Sequence, residues 1–387
     1  MIIEPKIRGF ICTTAHPVGC ATNVQRQIDH VVVKGPIPSA RRRVLVLGCS
    51  TGYGLASRVV TTFGSDADTV GVSFEKPPAE NKTASAGWYN NRAFEQRARA
   101  AGRIAVTVEG DAFSDAIKAE TIEVVRRNLG QVDLVVYSLA SPVRTDPRTG
   151  ETYRSAIKPY GAAVKAKTLN TATGEVSQIE IEPATEEEAQ ATVKVMGGED
   201  WELWISALAD AGVLADGFTT LNYTYLGSEL TWPIYHKGTL GVAKADLDRA
   251  AGAIRARFGA ESAYVVALKA VVTQASSAIP VVPLYGTLLL KVMAEMGVSE
   301  GCIEQIDRLF RTKLADPALD DAHRIRVDDW ELSKTVQDEM ARRWPLLSTE
   351  TLPHLADLGK YREEFLKLFG FGLGGVDYGA DVDPREV

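Results

Sequence analysis

The chain has 387 residues, of which 45% are apolar and 24% charged, and this balance excludes intrinsic disorder. A net charge of −7 excludes a generally basic nucleic-acid surface, while leaving room for a local patch that meets an acidic partner. Four scattered cysteines (Cys12, Cys20, Cys49, Cys302) with no CxxC pair exclude a disulfide framework and a zinc cluster.

In chain order, the N-terminal MIIEPKIRGFICTTAHPVGC lacks the apolar core of a signal peptide. The most apolar stretch, Ala275 to Leu290, is broken by Ser276, Ser277, Pro280 and Pro283, so no membrane span is expected. These features predict a reduced, cytoplasmic protein. Val44–Cys49, Thr69–Phe74, Ile104–Val108, Asp133–Ser138, Phe218–Tyr225 and Ala263–Val272 read as strands. They are apolar without clean alternation, as strands buried on both faces of a parallel sheet are. Tyr53–Phe63, Ala93–Ala101, Asp115–Asn128 and Gly238–Phe258 read as the intervening helices. The series predicts an α/β fold: a Rossmann-type doubly wound parallel sheet with flanking helices. Roughly 80 residues separate the fourth and fifth strands, far beyond the usual connection of 2–6. The spacing therefore predicts an insertion over 147–217, a ribbon and lid over the substrate site. The part after Pro283 reads as helical, and the whole of 1–387 as one large domain.

The first strand runs into Gly48-Cys49-Ser50-Thr51-Gly52-Tyr53-Gly54 and then a helix. Glycines there permit a tight turn, and the helix start offers free N–H groups to a pyrophosphate. No GxxxxGK[ST] follows, so an ATP-cleaving loop is not expected. Glu75 ends the second strand about 20 positions beyond the turn, where an acid accepts hydrogen bonds from the ribose hydroxyls. Its charge repels a 2′-phosphate, which predicts NADH. The third strand ends in Asp111-Ala112, where the acid can bond the adenine amino group. The fourth ends in Ser138-Leu139-Ala140, small enough for the nicotinamide half to lie across it.

A reductase of this build needs a phenol to give a proton or hydrogen bond to the substrate oxygen. It also needs an ammonium to hold the ribose and lower the phenol pKa. Tyr235 and Lys244 are the candidates. Nine helical steps of roughly 100° would set them half a turn apart, so they can share a site only if the helix begins after Tyr235. Pro233 and Gly238 permit that break. Two rival readings share these features: a short-chain dehydrogenase acting on a carbonyl such as a β-ketoacyl thioester, and a non-catalytic NAD-sensing protein.

The segments RGFICTTAHPVGC, GCSTGYGLASR, FEKP, GDAFS, YSLASPVRTDP, TYLGSELTWPIYHKGTLG and VTQASSAIPVVPLY resemble the FabV class of enoyl-[acyl-carrier-protein] reductases, also known as trans-2-enoyl-CoA reductases. These are relatives of the short-chain dehydrogenases with a Tyr-x8-Lys signature. The resemblance implies NADH-dependent reduction of a trans-2-enoyl thioester carried on acyl carrier protein or CoA, the last reduction of fatty-acid elongation, by a monomer. It implies Tyr235 as proton donor, Lys244 on cofactor and phenol, Tyr225 near the thioester carbonyl and Ser276 at the border of the acyl pocket. It also implies cofactor contacts from Gly48, Cys49, Ser50, Thr51, Gly52, Tyr53, Phe74, Glu75, Asp111, Ala112, Leu139, Ala140, Lys244, Thr273, Gln274 and Ala275. No metal is expected, because the five histidines lack ligand spacing. Lys158, Lys165 and Lys167 in the insertion are the candidate docking patch for an acidic carrier protein.

Overall fold

In the computed structural model, which describes residues 1–9, 11–38 and 41–386, the apolar runs become the strands of one sheet. These are β1 (Arg43–Leu47), β2 (Asp68–Ser73), β3 (Ala105–Glu109), β4 (Val132–Tyr137), β5 (Leu214–Thr224), β6 (Ala263–Ala267) and β7 (Arg324–Arg326). Their order is 7-6-5-4-1-2-3, and every neighbouring pair is parallel. The order reverses between β1 and β4. A crevice opens at such a switch point, outside the carboxyl ends of the strands, and ligands bind there.

Period-two side chains divide the core. Val44, Val46, Leu134 and Val136 face one layer, formed by α1 (Pro17–Val33), α2 (Gly52–Ser65) and α3 (Ala86–Ala100). Leu45, Leu47 and Val135 face the other. That layer holds α4 (Asp115–Asn128), α6 (Glu199–Asp210) and α7 (Thr239–Phe258), with α5 (Glu186–Met196) packed on α7. Both faces of the central strands are covered, which is why β1 and β4 read as near-continuous apolar runs.

Two features depart from the sequence reading. Helix α6 lies in the core, with Trp201 and Trp204 both fully buried, so this half of the 147–217 insertion is a β4–β5 crossover rather than a lid. The other half includes an antiparallel ribbon, Val164–Leu169 with Val176–Ile181, whose Leu169 packs into a cluster with Leu284, Leu288 and Val292. The second departure is at β6, which ends at Ala267, earlier than its apolar run suggests. The Lys269 amide leaves the ladder and donates to the Gln305 side chain at 2.9 Å.

Candidate active site

The Gly48–Tyr53 turn sits at the switch point, and its glycines are there for contact. Gly48 has φ +82°, and a Cβ on it would lie 2.3 Å from the Ser138 carbonyl oxygen at the end of β4. A Cβ on Gly54 would lie 1.8 Å from the Gly48 oxygen. The amides of Gly48 and Cys49 both donate to Val72 O, at 2.9 and 3.1 Å, which pins the turn to β2. Cys49 is fully buried, with its thiol turned to Asn91 and its pKa pushed up to about 11 by that burial. Both its amide and its side chain are thus withdrawn from any ligand. The amides of Ser50, Thr51, Gly52 and Tyr53, by contrast, have no partner among the described residues. They open helix α2, where N–H groups and the helix dipole favour an anion.

From this turn the structure gathers residues far apart in sequence. Ser50 Oγ donates to Glu75 Oε1 at 2.6 Å. A Cβ on Gly87 would lie 2.1 Å from that same oxygen, so α3 leaves the Glu75 carboxylate a fitted slot. Phe74 beside it is 80% exposed, an aromatic face free for an adenine ring. At the end of β3, Asp111 Oδ1 accepts the Phe113 amide at 3.0 Å, and the Ala112 carbonyl accepts from Trp204 Nε1 and Lys118 Nζ. Leu139 packs against the turn, its Cδ2 3.2 Å from where a Gly48 Cβ would stand, and Ala140 beyond it is exposed.

Thr273 closes the far side, with its Cγ2 3.9 Å from where a Gly52 Cβ would stand. Thr273 and Ser276 form a reciprocal cap on the short helix α8 (Gln274–Ser277), and Ser276 Oγ donates to Val271 O at 2.8 Å. The Ser276 hydroxyl is therefore a brace, although its residue lines a small cavity of about 20 Å³ with Ala270, Val271, Val272, Leu289 and Tyr361. Gln274 and Ala275 in this turn are exposed. Tyr53 also serves as a brace: its hydroxyl donates to Lys269 O at 2.9 Å and ties the glycine turn to the β6 exit.

The Tyr235–Lys244 spacing is resolved by the local fold. Residues 229–237 form turns, and α7 starts only at Thr239 with Gly238 as its N-cap. The Tyr235 carbonyl accepts the amides of Gly238 and Gly241, at 3.2 and 2.9 Å, so the tyrosine backbone seeds the helix that carries Lys244. Gly238 allows this, since a Cβ there would lie 2.5 Å from Ile234 O and 2.7 Å from Lys158 O. Tyr235 is 7% exposed, and its hydroxyl has no hydrogen-bond partner among the described residues. Burial raises its pKa above that of an ordinary phenol. Burial also brings the Lys244 ammonium down to about 8, and among the described residues no ion pair offsets it. The expected lowering of the phenol by the ammonium is absent, because desolvation governs both groups.

Tyr225, one residue past β5, packs edge-on against Tyr235 with ring centroids 4.9 Å apart. Its hydroxyl donates to Glu331 Oε1 at 3.0 Å, so its proton does not point to a thioester carbonyl. Glu331, Lys269 and Glu109 were missed by sequence reasoning. Glu109 accepts from Ser73 Oγ at 2.8 Å and from the Glu75 amide at 3.3 Å, which sets a second acid beside Glu75.

Of the lysine patch, Lys158 and Lys167 are engaged within the structure, while Lys165 stays largely exposed. Lys158 pairs with Glu188 at 2.6 Å and Lys165 with Glu180 at 3.8 Å. Lys167 donates to the carbonyls of Trp344, Pro345 and Leu347 at 3.3, 2.8 and 2.9 Å. Beside it, a cleft of about 270 Å³ runs between the ribbon, Leu230, Pro233, Ile234, Val281 and Trp344. Among the described residues, no helix is long and apolar enough to cross a membrane.

Three family models match the chain: "Trans-2-enoyl-CoA reductase catalytic region" over residues 82–315, "NAD(P)H binding domain of trans-2-enoyl-CoA reductase" over 2–80, and "Enoyl reductase FAD binding domain" over 319–382. The chain is 57% identical to an enoyl-[acyl-carrier-protein] reductase [NADH] of Edwardsiella ictaluri, covering 99% of this chain and 98% of the relative. It is 56% identical to the FabV enoyl-[acyl-carrier-protein] reductase [NADH] of Aeromonas salmonicida, over 99% and 98%. The crystal structure of Treponema denticola trans-2-enoyl-CoA reductase in complex with NAD superposes with a TM-score of 0.95 at 47% identity, covering 99% of this chain and 98% of that one.

The flavin in the third description does not fit residues 319–382. Val336, Met340, Leu352 and Phe365 bury that segment against the body, with at most 8% exposure each. Gly370 in its glycine-rich stretch is used for packing, since a Cβ there would lie 2.5 Å from Cys20 N at the start of α1. No strand–glycine turn–helix remains among the described residues there to cradle a flavin pyrophosphate. The dinucleotide crevice at β1 and β4, the Tyr-x8-Lys segment and full-length likeness together place this chain in the trans-2-enoyl-CoA reductase family, which includes the FabV enoyl-[acyl-carrier-protein] reductases.

Proposed function

We propose that this protein reduces the carbon–carbon double bond of trans-2-enoyl thioesters with NADH, the thioester being carried on acyl carrier protein or CoA. The observation that carries the reading is a buried phenol with no internal partner, Tyr235, at the carboxyl end of β5 in a sheet whose β1 turn offers four free amides. The crevice suits NADH. The helix α2 N-terminus takes the pyrophosphate, Glu75 the ribose hydroxyls, Phe74 and Asp111 the adenine, and Leu139, Ala140, Thr273, Gln274 and Ala275 the nicotinamide half. Glu75 and Glu109 together set two acids where a 2′-phosphate would lie.

When bound, NADH supplies a hydride to the β-carbon. Negative charge then grows on the thioester oxygen as an enolate, and a donor aimed there lowers the barrier. Tyr235 is that donor: burial keeps its proton on at neutral pH, as an acid requires. Lys244 holds the ribose through its ammonium, which stays charged below about pH 8. The acyl chain extends toward Val271, Val272 and Leu289 beside Ser276. We place the protein in the cytoplasm as a monomer, with the insertion ribbon and the C-terminal helices as parts of one domain. The test is NADH consumption by the purified protein with crotonyl-CoA and with acetoacetyl-CoA. Turnover of the first alone supports the reading, and preference for the second overturns it.

A further inference from the structure

We propose that Glu331 is a positioning residue of this site, whose carboxylate takes the one hydroxyl proton of Tyr225 and so leaves Tyr235 as the sole phenolic donor to the substrate. The inference rests on the reading above. Glu331 comes from the loop after β7, more than 100 residues along the chain from Tyr225, and is fully buried. Its Oε1 accepts the hydroxyl of Tyr225 at 3.0 Å and that of Tyr285 at 2.6 Å, and its Oε2 accepts the Ala270 amide at 2.6 Å. Gln337 Nε2 braces the residue from behind, donating to Glu331 O at 2.7 Å. The nearby cation, Lys269, is held off the carboxylate by its own bonds to Ala270 O at 2.7 Å and Glu300 O at 3.1 Å.

Three consequences follow from this arrangement. A phenol has one proton, so Tyr225 can offer the substrate side only lone pairs and a ring edge. Its ring stands 4.9 Å from that of Tyr235 at 79°, so holding Tyr225 holds the donor. The same carboxylate fixes Ala270, the first residue of the Ala270–Val272 wall that lines the small cavity next to Ser276. One buried acid thus sets the relation between the proton donor and the pocket wall.

Glu331→Gln tests this with little change in shape. The Ala270 amide can only donate, so the glutamine carbonyl must turn to it and the NH2 must face the two phenols. Tyr225 then accepts, and its freed proton competes with Tyr235 for the thioester oxygen. Loss of a hydrogen bond to a charged group predicts a kcat lower by about 10-fold or more with crotonyl-CoA, and an unchanged KM for NADH. In a Tyr225→Phe background, Glu331→Gln should cause no further loss. Tyr285→Phe removes the other phenol from the same oxygen without touching Tyr235, and should lower kcat less than Tyr225→Phe does. The proposal is overturned if Glu331→Gln leaves kcat intact, if its effect multiplies with that of Tyr225→Phe, or if Tyr285→Phe costs as much as Tyr225→Phe. Should Glu331→Gln not fold, the two phenylalanine variants decide. A Tyr225→Phe loss equal to that of Tyr235→Phe would make Tyr225 a direct donor and overturn the proposal. Absence of turnover in the unaltered enzyme would instead overturn the functional reading itself.

Discussion

Lys244 is a charge held against its own desolvation, and replacing it should separate stability from activity. Its ammonium lies at about 8 where an ordinary lysine lies at 10.5, and burial is the cause. At about 1.36 kcal/mol per unit, the native state gives up about 3 kcal/mol at pH 7 by keeping this group charged, and water reaching the partly exposed side chain trims that to about 1–3 kcal/mol. The sign follows from proton binding. Between pH 8 and 10.5 the unfolded chain holds a proton that the native protein has released, so this group's contribution to stability rises with pH there and is flat below it. Lys244→Met removes the burden at pH 7. With an unfolding entropy of roughly 2.1 cal/mol/K per residue, the gain corresponds to a Tm higher by about 1–4 °C. Thermal unfolding of the cofactor-free protein at pH 7 and pH 10.5, alongside NADH turnover, reads both effects. The expected result is a higher Tm at pH 7, no gain at pH 10.5, and turnover reduced by at least about 100-fold. A variant no more stable at pH 7, or equally stabilised at both pH values, would refute the reasoning.

The cofactor half gives further tests. Glu75→Ala should raise KM for NADH by about 10-fold, from lost charged hydrogen bonds, and admit NADPH more readily; an unchanged NADH/NADPH preference would make Glu75 a surface acid. Gly87→Ala should reproduce part of that effect without removing any charge, since its Cβ would stand 2.1 Å from Glu75 Oε1; steady-state KM values for both nucleotides check this. Gly48→Ala should abolish NADH binding measured by fluorescence titration, because the added methyl would meet the Ser138 carbonyl at 2.3 Å. Lys158→Ala should leave KM for a carrier-protein substrate unchanged, because Lys158 is already paired with Glu188 at 2.6 Å within the insertion.

Sequence made the β1–turn–α2 unit and Glu75 readable, because both depend on local rules: a buried apolar run, glycines at a helix start, and an acid at the next strand end. It also posed the Tyr235–Lys244 problem correctly, since helical phase alone required a helix that starts after Tyr235, and α7 starts at Thr239. What stayed hidden depends on contacts between distant segments. Helix α6 carries the pattern of any amphipathic helix, and only its docking with Trp201 and Trp204 onto the sheet makes it a crossover. Strand β7 is three residues, Arg-Ile-Arg, and gains its place through pairing with β6 and through Arg324 on Asp248. Glu331 sits among Asp328, Asp329 and Trp330 in what reads as a solvated acidic turn. Nothing local marks it as the acceptor for Tyr225, Tyr285 and Ala270.

The central claim is that Tyr235 stabilises and protonates an enolate formed when the β-carbon of an enoyl thioester receives hydride. Reaction of crotonyl-CoA with NADH deuterated at the transferred position, analysed by mass spectrometry and NMR for the unaltered enzyme and for Tyr235→Phe, tests it most directly. The expected product is butyryl-CoA with deuterium at the β-carbon alone, formed about 10²–10⁴-fold more slowly by the variant. Deuterium at the α-carbon, or near-normal turnover by Tyr235→Phe, would contradict it.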